Sequence, residues 1–126
     1  EMLKRAHKLE NTVVKELDKV KKQALKDPTV DGAGALQAKL EEVFVANDKV
    51  AKAEAGLGKG LEKKCEARQN PATTFPGTCA AVSLGAVEDC AIAAARCQAC
   101  VKINGFDGLT LPCDLADDGD ANASCP

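Results

Sequence analysis

Four cysteines, Cys79, Cys90, Cys97 and Cys100, constrain this 126-residue chain more than any other feature. They fall on one face of a single α-helix, because positions three, four and seven apart stack along a helix. Ala86 and Ala93 share that face, and the pattern predicts a helix over about 79–103 with three or four thiols looking inward. Cys90 and Cys97 lie about 10 Å apart by helix rise, beyond the roughly 7 Å between Cα atoms that a disulfide spans. Each therefore needs a partner from elsewhere. Cys65 is placed for Cys90 or Cys97, Cys113 for Cys97 or Cys100, and Cys125 for a position further up the helix. Three bridges use six of the seven cysteines. Cys79 and Cys125 border irregular segments and are the candidates for the seventh, either buried or bonded between chains.

Other uses of the thiols fit the spacing less well. The CxxC of "CQACVK" is followed by Val101 rather than the His that covalent haem attachment requires. A redox CxxC places its first Cys at a helix N-terminus, where the dipole lowers the thiol pKa, whereas Cys97 is expected deep inside the helix. A zinc site from Cys97, Cys100, Cys113 and Cys125 would depart from ribbon-type ligand spacing. Disulfides are the expected state, and they imply an oxidising compartment. A start at Glu1 rather than Met fits a processed, exported protein and equally a trimmed one.

The first half reads as a helical hairpin. Met2, Ala6, Leu9, Val13, Leu17, Val20 and Ala24 form one stripe over about 2–26, and Asp27-Pro28 ends it, since Pro disfavours helix in the residue before it. A second helix is predicted over about 34–68, with Leu36, Leu40, Val43, Asn47, Val50, Glu54, Leu57 and Leu61 as a coiled-coil-like seam. Asn47 and Glu54 interrupt the seam, as residues that fix register against a second chain do, or as a seam that turns to solvent. Gly56, Gly58 and Gly60 point to a bend or a close helix approach. Residues 104–126 read as an irregular tail, rich in turn residues.

Trp and Tyr are absent and Phe occurs three times. Aromatics supply the largest buried areas, so the core is thin and the fold needs staples, a metal or partner subunits. The missing aromatics also remove the stacking platforms of nucleic-acid binding, and no apolar run reaches the twenty or so residues of a membrane span. Residues 1–68 carry fifteen Lys/Arg against twelve Asp/Glu, and residues 69–126 two against seven. The lone histidine, His7, sits among charged residues with no nucleophile near it and is expected to be solvated. Asp114, Asp118, Asp120 and Asn122 around Gly119 could offer calcium oxygen ligands. Ala116 and Cys125 occupy two ligand positions of that loop pattern, and a solvated turn with Asx hydrogen bonds is the competing expectation.

The segments "FPGTC" at 75–79, "CQAC" at 97–100, "NGFDGL" at 104–109 and "CDLADDGDANASC" at 113–125 resemble a cysteine-rich module of uncharacterised exported proteins from environmental, deltaproteobacteria-like bacteria. The resemblance covers residues 75–126. It implies export and a disulfide-held helical fold, and brings no catalytic residue or ligand with it.

These observations predict an all-α protein: a long helical hairpin over 1–70, with a third helix and an irregular disulfide-stapled tail over 71–126 packed on it as one structural domain. The expected role is non-enzymatic and structural, a secreted, self-assembling subunit of an extracellular or cell-surface assembly such as a filament. The alternative is a carrier of a small, lipid-type ligand. A homo-oligomer or polymer is expected, without nucleic acid. Val13, Leu17, Asn47 and Glu54 are the expected interface residues. Basic Lys15, Lys19, Lys21, Lys22 and Lys26 of one copy would then meet Asp114, Asp117, Asp118 and Asp120 of the next.

Overall fold

The computed structural model describes residues 2–64, 79 and 83–125. The protein is all-α. Its elements are α1 (Met2–Ala24), α2 (Ala33–Ala46), α3 (Asp48–Lys64), α4 (Leu84–Asp107) and the short α5 (Cys113–Asp118). α2 and α3 together return along α1, since Lys39 meets Asp27 at one end and Arg5 meets Gly56 at the other. α4 then runs parallel to α1, with Lys102 on Glu10 and Lys21 on Asp107.

The α1 stripe is the spine of the core. Leu9, Val13 and Leu17 pack with Leu40, Val43, Phe44 and Val50 from the returning arm and with Ala95, Ala99 and Ile103 from α4. Nearer the N-terminus, Met2 and Ala6 pack against Leu57, Leu61 and Ala91. The expectation that part of this stripe lies uncovered and forms an interface is therefore wrong. Val13 and Leu17 are 0% exposed, buried by their own chain. The physical reason is that α4 lies along α1 and carries the small residues Ala91, Ala95 and Ala99 on its inner face, which let it cover the stripe.

The second predicted helix is two. Asn47 leaves helical geometry (φ −92°, ψ 113°), and its Oδ1 accepts the N–H groups of Lys49 and Val50 at 3.0 and 3.2 Å. It is the N-cap of α3, meeting two of the orphan donors every helix start has. Its Nδ2 donates to Glu16 Oε2 at 3.2 Å. Glu54 faces Arg96 of α4, with Oε1 at 3.8 Å from Nη1. Both seam interruptions serve contacts inside the chain. Asn47→Leu is expected to lower stability by about 1–2 kcal/mol through loss of the cap, seen as a lower denaturation midpoint at unchanged slope.

α3 runs unbroken through its glycines, and two of them, Gly58 and Gly60, serve close approach rather than a bend. A Cβ on Gly58 would lie 2.0 Å from Glu88 Oε1, and one on Gly60 2.3 Å from Arg5 Nε. Burial pushes the Glu88 carboxyl above its usual range, helped by Asp89 and Glu62.

α4 begins at Leu84, later than expected, with Ser83 Oγ accepting the Ala86 N–H at 3.2 Å. It also ends later. Asn104-Gly105 lies inside the helix, and the stop is Gly108 in the left-handed conformation at φ 62°, where a residue without Cβ costs nothing.

Candidate functional site: the stapled tail and the groove beside it

Three disulfides hold the second half together: Cys79–Cys90, Cys97–Cys125 and Cys100–Cys113, with Cα separations of 5.4, 5.5 and 5.5 Å. Cys113 takes one of its two expected partners, and Cys125 reaches back to the helix as anticipated. Cys79 and Cys125, expected as candidates for the unpaired thiol, are both bonded. Cys65 cannot take Cys90 or Cys97, because each has another partner; Cys65 itself lies outside the described residues. The second and third bridges also consume the four sulfurs that a zinc site would have required.

Asn104 sets the chain up for these bridges. Its Nδ2 donates to the Leu111 carbonyl at 3.0 Å and its Oδ1 accepts the Leu111 N–H at 2.9 Å. This two-point clamp turns the chain back along α4 and delivers Cys113 to Cys100. The tail then contains a helical turn, α5, where irregular chain was expected.

Asp114 and Asp118 of the proposed calcium loop, with Asn122 and the neighbouring Asp117, each have a different task, while Asp120 takes part through its backbone N–H. Asp114 accepts the N–H groups of Ala123 and Cys125 at 3.0 and 3.2 Å. Asp118 accepts the Asp120 N–H at 2.8 Å and Asn122 Nδ2 at 2.9 Å. Asn122 Oδ1 accepts the Ser124 N–H at 2.9 Å. Asp117, only 1% exposed, accepts the Ser124 hydroxyl and the Asp118 N–H, both at 2.7 Å. The side chains address separate backbone and side-chain donors. Among the described residues no group of three or more His, Cys, Asp or Glu forms a metal-binding cluster. The donor set does not fit calcium; it fits the Asx-turn reading of the same residues.

These hydrogen bonds fix the charge state of the tail. The Ala123 and Cys125 N–H groups hold the Asp114 carboxyl below the usual carboxylate range, and the Asp120 N–H and Asn122 do the same for Asp118. A depressed folded-state pKa gives stabilisation that is complete above the ordinary value, about 3.9 for Asp, and is lost as pH falls through the folded one. The tail should stay ordered from neutral pH to about pH 4 and loosen below it. Backbone NMR shifts of Asp120, Ala123 and Cys125 across an acid titration check this locally. Glu88 has the opposite sign, because its raised pKa makes protonation favour the folded state.

Beside the tail lies a groove of about 310 Å³. Phe44 and Val45 of α2 form one wall, and Pro112, Leu115 and Ala116 the other. Arg96 lines it as well. The guanidinium donates to the Phe44 carbonyl and sits 5.8 Å from the Phe44 ring centroid, so a cation from α4 caps the C-terminal end of α2, which has no basic residue in its own last turn. Glu41 and Asp118 complete its charged lining. Sequence reasoning missed this groove. The available signal was the run Val43-Phe44-Val45, three apolar residues in succession on a helix, which cannot all face one core.

The remaining candidates stand apart from the groove. His7 is exposed on α1, with Nδ1 3.2 Å from Glu10 Oε2. Glu10 also receives Lys102 from α4; burial raises its pKa, but Lys102 and His7 outweigh that and leave it lowered. Of the basic residues expected to meet another copy, Lys21 is bound to Asp107 at 2.8 Å, while Lys15, Lys19, Lys22 and Lys26 are exposed. Among the described residues no helix is long and apolar enough to cross a membrane. No family model, curated protein or solved structure matches the chain.

Proposed function

We propose that this chain is an exported, disulfide-stapled structural subunit, a non-enzymatic part of an extracellular or cell-surface assembly. One observation carries the proposal: the residues with chemistry to offer are spent on shape. Cys97, Cys100, Cys113 and Cys125 hold the tail to α4, and Asp114, Asp117, Asp118 and Asn122 fold it. Such a tail is a rigid surface, which suits a part that must present the same face to every neighbour. Intramolecular disulfides persist in oxidising compartments, which supports export. Buried Val13 and Leu17 remove the α1 stripe as a contact, so assembly has to use other surfaces.

The groove supports a second reading, a binding module for a small apolar ligand, since its volume is at the lower end of ligand pockets. Light scattering and electron microscopy of the oxidised protein across a concentration series, with mass spectrometry of extracted lipids, separate the two. Ordered polymers support the structural role. A monomer carrying stoichiometric lipid supports the carrier and overturns it.

A further inference from the structure

We infer that the groove between α2 and α5 receives the end of α1 from a second copy of the chain, with Leu25 as the apolar knob and Lys22 and Lys26 as its flanking cations. The inference rests on the structural-subunit reading and names the contact that reading requires.

The groove has two large apolar side chains turned to solvent, Val45 at 87% and Leu115 at 51% exposure. Its charge is one-sided. Glu41 and Asp118 line the groove, and neither α2 nor α5 has a basic residue in its last turn. Arg96, the one cation among the described residues that line the groove, is engaged by the Phe44 carbonyl and ring and by Glu54. A complementary occupant carries an apolar side chain between positive charges. The end of α1 has that form. Leu25 is 78% exposed just past the helix, Lys26 beside it is exposed, and Lys22, one turn before, is exposed with its ammonium on Asp18 at 2.6 Å. The same chain cannot fill its own groove: Leu25 lies at the start of the α2 arm, and the rise from Ala33 to Val45 alone is about 18 Å. The knob and the groove are different surfaces, so the contact is heterologous and propagates into an open chain or closes into a ring. Apolar burial supplies the affinity, while surface ion pairs of this kind set polarity.

Sedimentation velocity of the oxidised full chain tests this. Leu25→Asp and Val45→Asp place a charge in the apolar contact and should each weaken self-association at least about tenfold. Both sites are exposed, so far-ultraviolet circular dichroism should remain that of the parent. Mixed together, the two variants should form a one-to-one dimer and nothing larger, because the intact groove of one meets the intact knob of the other. Glu41→Lys and Lys26→Glu should each weaken association, and the double variant should recover it. Leu3→Asp, at the far end of α1, should change nothing. If the parent assembles and Leu25→Asp and Val45→Asp assemble like it, this contact is wrong and the structural-subunit reading survives. If the parent stays monomeric to millimolar concentration, both fall. A parent monomer that binds a fluorescent fatty acid, with binding abolished by Val45→Asp, assigns the groove to a lipid instead.

Discussion

Leu17→Ala should lower the unfolding free energy by about 3–5 kcal/mol. Leu17 is fully buried between the returning arm and α4, so truncation leaves a cavity that the surrounding helices cannot close. A domain of this kind has about 5–15 kcal/mol in total, so the loss is a large part of the whole. Chemical denaturation of oxidised protein measures it. The same substitution separates two roles for α1. A residue that served a contact between copies would weaken assembly and leave the monomer stable; here the monomer itself should melt earlier. A change below about 1 kcal/mol would mean that α1 is not packed as described.

Removing the Cys97–Cys125 bridge with a paired Cys97→Ala, Cys125→Ala substitution should also lower the unfolding free energy. Loop-closure entropy assigns about 3.6 kcal/mol to a separation of 28 residues, against about 2.9 for the 13 of Cys100–Cys113 and about 2.8 for the 11 of Cys79–Cys90. The outer bridge encloses the inner one. With Cys100–Cys113 closed, the effective outer loop is shorter, so removing either bridge alone should cost less than its own length predicts, and the two single deletions should sum to less than the removal of both. The tail should also lose order locally, because Cys125 anchors the strand of chain whose N–H groups Asp114 and Asp118 hold. Thermal melts with and without a reductant, together with the Ala123 amide shift, read the two effects separately.

The helices were legible in the sequence where one physical cause fixes them. The α1 stripe has no competing period; the helix ends at Ala24, short of the stop expected at Asp27-Pro28. The second arm was misread because Asn47 sits in the seam register while acting as a cap. Asn followed by Asp is an N-cap with an acid in the first turn, a signal that the apolar period on either side concealed. The disulfide face of α4 was legible from spacing, but the partners were not. Asn104 decides that Cys113 meets Cys100, through a side-chain clamp on Leu111 that no local pattern announces. The acidic tail illustrates the same limit. Asx turns and a calcium loop use the same residue types, and only the direction of each carboxylate distinguishes them. Burial of Val13 and Leu17 depended on where α4 lies, a tertiary fact absent from the periodicity of α1.

The thin inner face of α4 has a consequence for behaviour with temperature. Ala91, Ala95 and Ala99 bring the helices together while hiding little hydrocarbon, and apolar exposure on unfolding is what gives a protein its heat-capacity increment. The increment here should be small for a chain of this length, and the curve of free energy against temperature correspondingly flat. The bridges act in another way. To the extent that they stabilise by limiting the disorder of the unfolded chain, their contribution is an entropy multiplied by absolute temperature, so it grows on warming. A molecule built from alanine contacts and cystines gives up some maximal stability near room temperature and gains a broad range over which that stability hardly changes.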